Sequence, residues 1–185
     1  MTIVTNWYTM DCKEGVDLNN PITINTTTNP EYPAPPHKLL DRVQGIYGSE
    51  WVFVQASATV TANNGIVIDN LGKANSMTSA LVASHVYSYG IAEFQASVAN
   101  ANDFFWALLK ANGGVAVNIS PSVGRGVQMY ISAVAGSFTS SVTSNAIEGI
   151  ELVASIGTSA SGPGEAIIRT YMIAATDLAV AGATV

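Results

Sequence analysis

The chain has 185 residues, 48% of them hydrophobic and only 11% charged, with a formal net charge of −6. That length favours one domain, and a chain of this size buries roughly 70% of the surface its unfolded form exposes, enough to fold without disulfide or metal staples. Its basic residues, Lys13, Lys38, Arg42, Lys73, Lys110, Arg125 and Arg169, are scattered, which argues against direct binding to nucleic acid or to an anionic membrane.

Average domains carry about 25% charged residues. A chain with 11% presents a neutral, Ala/Ser/Thr/Val-rich surface that is poorly defended against association. The composition therefore points to an obligate or high-copy assembly in which much of the surface meets other protein. The single cysteine, Cys12, has no partner for an internal disulfide. The opening residues lack a basic region followed by an apolar core, so no signal peptide is expected. No run approaches the roughly 18 apolar residues of a membrane span.

In chain order, residues 1–36 are rich in Asn, Thr and Pro, and Pro33-Ala34-Pro35-Pro36 predicts an extended, polyproline-like stretch. This zone reads as an N-terminal arm and not a packed element. Its apolar residues, among them Ile3, Val4, Trp7, Tyr8, Met10 and Ile22, read as anchors along a neighbour. Residues 37–173 show strand after strand, and 174–185 form an apolar tail or a last strand.

Within that body, residues 50–56 (Glu-Trp-Val-Phe-Val-Gln-Ala) are β-branched and aromatic, and 65–69 follow the turn signal Asn63-Asn64-Gly65. Further strands are expected at 87–96, 104–109, 115–119, 127–131, 147–156 and 166–173. Asn112-Gly113-Gly114, between two of them, predicts a hairpin. Residues 74–84 suit two helical turns or a strand and loop equally. Eight or nine short strands predict an all-β fold, a sandwich or barrel.

Searches for chemistry in the sequence return little. The two histidines, His37 and His85, cannot make a three-ligand zinc site alone. No Gly-x-Ser-x-Gly elbow occurs. Glu148 and Glu151 would fall on opposite faces of a strand, and Asp11, Glu14 and Asp17 lack the spacing of a calcium loop. The glycine pairs 124/126 and 162/164 do not continue as phosphate cradles. Trp51, Trp106, Tyr87, Tyr89, Tyr130 and Tyr171 suit a sugar platform, but their apolar strands favour core packing. No enzyme activity, catalytic residue, cofactor or metal is expected.

The stretch 33–43 (Pro-Ala-Pro-Pro-His-Lys-Leu-Leu-Asp-Arg-Val), followed by Gly45 and by 48–58 (Gly-Ser-Glu-Trp-Val-Phe-Val-Gln-Ala-Ser-Ala), resembles the opening of capsid cement, or head decoration, proteins of tailed bacteriophages. Later stretches at 63–69, 72–78, 91–94, 105–108, 148–153 and 164–168 are similar to that family's successive strands. The resemblance spans roughly residues 33 to 170. It implies a jelly-roll-like β-sandwich on the outer surface of a phage head, bridging major capsid subunits, often as a symmetric homodimer or homotrimer made in the bacterial cytoplasm. Trp7, Tyr8 and Tyr32 are the expected arm anchors, since aromatic residues dominate interface energetics. Pro33, Pro35, Pro36 and His37 are expected beside them. An adhesive, glycan-binding β-domain of a virion is the alternative.

Overall fold

The computed structural model describes residues 3–10, 16–24, 34–84, 88–121, 123–141, 146–153 and 162–174. Its elements in chain order are β1 (Arg42–Gly45), β2 (Ser49–Ala56), β3 (Val60–Thr61), β4 (Gly65–Ile68), β5 (Lys73–Ser76), the single helical turn α1 (Ser79–Val82), β6 (Ser88–Ile91), β7 (Val98–Ala99), β8 (Phe104–Ile119), β9 (Met129–Ile131), β10 (Phe138–Thr139), β11 (Ala146–Glu148), β12 (Glu151–Leu152), β13 (Gly162–Ile168) and β14 (Ile173–Ala174). The fold is almost entirely β, as the sequence predicts.

Two rings of strands share β8. In the first, β2 pairs with β5 in parallel, and β5–β4, β4–β6, β6–β8 and β8–β2 pair antiparallel. The path returns to its start and closes a small barrel, which leaves none of these five strands an open edge. Alternate residues fill it: Val52, Val54 and Ala56 of β2, Ile66 and Ile68 of β4, and Phe105, Ala107 and Leu109 of β8 belong to one buried cluster. Their neighbours Trp51, Phe53, Val67, Trp106 and Leu108 face the other way, yet they too are buried, in a second and larger cluster. A strand buried on both faces reads as a continuous apolar run.

The second ring uses the far half of β8. There β13 pairs antiparallel with it, from Gly162↔Ile119 to Ala166↔Val115, while β10 joins it in parallel at Phe138↔Ile119. From β10 the pairing passes through β9 to β11, then to β14, while β12 pairs with β13. Because β11 leads into β12 and β13 into β14, these four form in effect one long interrupted hairpin. Gly149 interrupts it at a φ of +86°, a left-handed conformation that glycine adopts without strain. This is why the predicted strand at 147–156 appears as two short pieces. Val117, Ile119, Met129, Ile131, Phe138 and Ile168 pack the ring's apolar side.

The hairpin predicted at Asn112-Gly113-Gly114 does not exist: β8 runs straight through it. Its register with β13 shifts there instead, so that Ile168 faces Ala111 although Ala166 faces Val115. The glycines serve close approach. A Cβ on Gly113 would stand 3.2 Å from Val4 Cγ2 and 3.3 Å from Tyr47 Cβ. Bare backbone here lets residues 3–4 pair with β8, the Val4 N–H donating to the Gly114 carbonyl at 2.9 Å.

The boundary drawn at residue 36 needs a matching correction. The segments 3–10 and 16–24 are packed, not loose. Ile22 and Phe104 exchange both backbone hydrogen bonds, at 2.6 and 2.9 Å, and Trp7, Leu18 and Ile22 are buried in the larger cluster. Asn19 fixes Trp7 by accepting from its N–H at 2.9 Å and donating to its carbonyl at 3.0 Å. The Trp7 ring meets Trp51 edge-on, centroids 5.3 Å apart. Emptying so large a buried site costs about 3–5 kcal/mol, so Trp7→Ala should lower unfolding stability by that amount in urea titrations. A midpoint equal to that of the unaltered chain would return the segment to the status of an arm.

Candidate functional site

The anticipated interface residues are not brought together as a set. Trp7 is only 2% exposed and leaves nothing for a partner to touch, a correction that follows from its packing on Trp51. Tyr8, its neighbour on the opposite side of an extended stretch, is 61% exposed. Pro35 and Pro36 are exposed, whereas His37 is half-buried, its ring edge-on to Phe53 and Trp106 at 5.3 and 5.1 Å. Tyr32, Pro33, Cys12 and His85 lie outside the described residues. Of the suggested sugar platform, Trp51, Trp106 and Tyr89 are core.

One edge of the molecule carries exposed side chains that the sequence reading did not group. Residues 8–10 run alongside β1, with Ile46 N–H donating to the Tyr8 carbonyl at 3.0 Å and Met10 N–H to the Gln44 carbonyl at 2.8 Å. This sets Tyr8 across from Ile46 and Met10 across from Gln44; the next residue, Tyr47, packs its ring edge-on against Trp7 with a 6.4 Å centroid separation. Met10 and Tyr47 are 71% and 57% exposed. Tyr47 also holds a φ of +57°, a left-handed backbone that costs a non-glycine residue roughly 1–2 kcal/mol.

A cleft of about 530 Å³ opens between residues 3–7 and the 93–97 loop. Gln95 closes part of its rim, donating from Nε2 to the Thr5 carbonyl at 3.0 Å and to Asn6 Oδ1 at 2.7 Å. Glu93 forms part of the lining and is 6% exposed. Its Oε1 accepts from the Trp7 indole at 3.5 Å, and its Oε2 has no hydrogen-bond partner among the described residues. Burial, partly offset by the Trp7 and Ala116 N–H donors, pushes this carboxyl up from 4.5 to about 8. Nothing in the sequence marks Glu93: it is one carboxylate in an apolar stretch, buried because residues 3–7 fold over it.

A second buried carboxylate has the opposite environment. Glu50 on β2 accepts from the Tyr171 hydroxyl at 2.6 Å and from Arg42 Nη1 at 2.6 Å, with Lys110 Nζ 3.4 Å away. Lys110 also stands 5.0 Å from the centre of the Tyr171 ring. Burial raises the Glu50 carboxyl, but the hydrogen bonds from Tyr171, Arg42, Gln44 and Lys110 together outweigh it and hold it below its ordinary value. The cluster joins the two rings, since Tyr171 lies between β13 and β14.

Among the described residues, no three His, Cys, Asp or Glu side chains gather as a metal site requires, and no helix is long and apolar enough to cross a membrane. Comparison with protein-family profiles, curated proteins and solved structures finds no match.

The two carboxylates should pull stability in opposite directions with pH. The lowered Glu50 value gives stability that is present above its unfolded value near 4.5 and is lost as pH falls through the folded value. Tyr171→Phe should cost about 1.5–3 kcal/mol at pH 7, and the cost should fade in acid as the carboxyl takes up its proton. The raised Glu93 value works the other way: its contribution is full below 4.5 and is lost as pH climbs through about 8. Glu93→Gln should therefore gain on the unaltered chain between pH 5 and 9, read as a widening gap in urea midpoints; parallel pH profiles would contradict the Glu93 assignment.

Proposed function

We propose that the chain is a structural virion protein, a capsid cement protein that binds the outer surface of a phage head and bridges neighbouring major capsid subunits. The observation that carries this reading is that Tyr8, Met10 and Tyr47, on or next to the segments that pair along β1, each stand exposed on an otherwise weakly charged molecule. Tyrosine and methionine are enriched at protein interfaces. An exposed aromatic kept in a strained backbone conformation is the kind of outlier that suggests a functional constraint. The resemblance of residues 33 to 170 to decoration proteins supports the same reading.

A cap that binds the assembled shell stabilises it by mass action, without needing chemistry of its own. The closed rings suit that task, because a domain with few open strand edges can crowd beside its copies without adding strands to them. With this reading go a jelly-roll-like sandwich as the finer description of the β-fold, self-association as a dimer or trimer, and a place on the capsid exterior.

Mixed with expanded, undecorated heads of the phage that carries it, the purified chain should pellet and saturate at a fixed number of copies per capsid subunit. Replacing both Tyr8 and Tyr47, as Tyr8→Ser with Tyr47→Gly, should leave the fold intact, since glycine relieves the strained φ. Binding should weaken by at least about tenfold, the equivalent of about 1.4 kcal/mol. Failure to pellet would remove the reading. Saturable glycan binding in its place would favour the adhesive alternative.

A further inference from the structure

The cleft beside Glu93 lies outside the exposed edge just described, and its lining has a definite chemical character. Its volume of about 530 Å³ lies within the ~300–1,000 Å³ typical of small-molecule sites. Val4, Ala62, Phe94, Ala96 and Ala116 supply apolar wall, and Asn6, Asn63 and Ser97 supply polar groups. Glu93 is the one ionisable side chain among the described residues of the lining. It is nearly buried, and its Oε2 has no hydrogen-bond partner among the described residues.

These features discriminate between ligand charges. An anion would find no lysine or arginine among the described lining residues and would meet a carboxyl. A neutral molecule would leave the carboxyl protonated near neutral pH, because it offers the ionised form no counter-charge and a buried unpaired charge is costly. A cation carrying N–H donors satisfies both needs at once. The net charge of −6 biases approach in the same direction.

We propose that this cleft binds a small organic cation, an ammonium or guanidinium group on a short apolar stem, with the Glu93 carboxylate as its counter-ion. Without ligand near neutral pH, a proton occupies the carboxyl, whose value of about 8 follows from its burial. Binding exchanges one cation for that proton: the cleft wall over Oε2, which is closed to solvent in the free chain, gives way to admit one donor, the O–H bond at Glu93 breaks, the proton leaves to solvent, and an ammonium or guanidinium N–H donates to the freed oxygen. The proposal is independent of the capsid reading, because the cleft is filled or empty whether or not the protein meets a head.

The test is calorimetric titration of the full chain with n-butylammonium and n-butylguanidinium chloride, in phosphate and in MOPS, with n-butanol as the neutral homologue. The expected result is saturable one-to-one binding of the cations, release of about one proton per ligand, and affinity rising about tenfold from pH 6 to 7 as linkage requires. Glu93→Gln, checked for folding by near-ultraviolet circular dichroism, should abolish both the binding and the proton release. Ala116→Leu, which fills the cleft and leaves the carboxyl in place, should abolish binding and the linked proton release while the Glu93 carboxyl still titrates.

A blocked lysine amide separates two sources of the same chemistry. If it binds as butylammonium does, the site admits a basic side chain of a protein partner. If only the free cations bind, the ligand is a small molecule. Either supports the charge assignment. Butanol binding as tightly as butylammonium, cation binding unchanged in Glu93→Gln, or no saturable binding of either cation would overturn it.

Discussion

A single strand that must be apolar on both faces governs this fold. β8 pairs with β2 along its first half and with β13 along its second, and it belongs to both strand rings. Phe105, Ala107 and Leu109 fill the first barrel, while Phe104, Trp106 and Leu108 look outward into the larger cluster. That outward face cannot be left in water: two or three aromatic rings there amount to several kcal/mol of exposed apolar surface. The second ring and the N-terminal segment cover it. The rest of the architecture is the answer to where β8 and its partner β2 can hide their second faces.

The covering is held by polar contacts as well as apolar ones. Glu50 gathers Arg42, Lys110 and Tyr171 across the boundary between the rings, and its charge is compensated. Glu93 sits where residues 3–7 fold over the barrel, and it has only N–H donors nearby. The difference between the two carboxyls therefore lies in their neighbours. One is pinned as an anion by three side chains from three parts of the chain; the other keeps a proton because no positive charge reaches it among the described residues.

Much of the barrel was legible in the sequence. The runs at 50–56 and 104–109 read as strands because burial on both faces removes polar residues from them. The segment before residue 36 was misread for a physical reason. Trp7 stands among Asn, Thr and Tyr8 without a helical or strand period, and the alternation Val16, Leu18, Ile22, Ile24, all of which pack in or against the larger cluster, is broken at Asn20-Pro21. The segments enter the core from irregular stretches held by isolated backbone pairings, so that short alternation is masked by the surrounding Asn, Thr and Pro. Asn112-Gly113-Gly114 misled for a related reason: a pair of glycines that permits a tight turn equally permits another chain segment to lie directly on the backbone. Neither the exposure of Tyr47 nor the burial of Glu93 had a local signature, since Tyr47 and Glu93 each meet Trp7 only through the fold.

The pairing of residues 3–4 with Gly114 also sets an order of events. A strand-like segment emerging early from the ribosome has its partner on β8, which is translated much later. Synthesis proceeds at about 5–20 residues per second, so Ile3, Val4 and Trp7 wait several seconds without the surface that buries them. Contacts so distant along the chain are slow to form. The burial of Trp7 therefore depends on contacts that span most of the described chain, from Asn19 to Glu93 and β8.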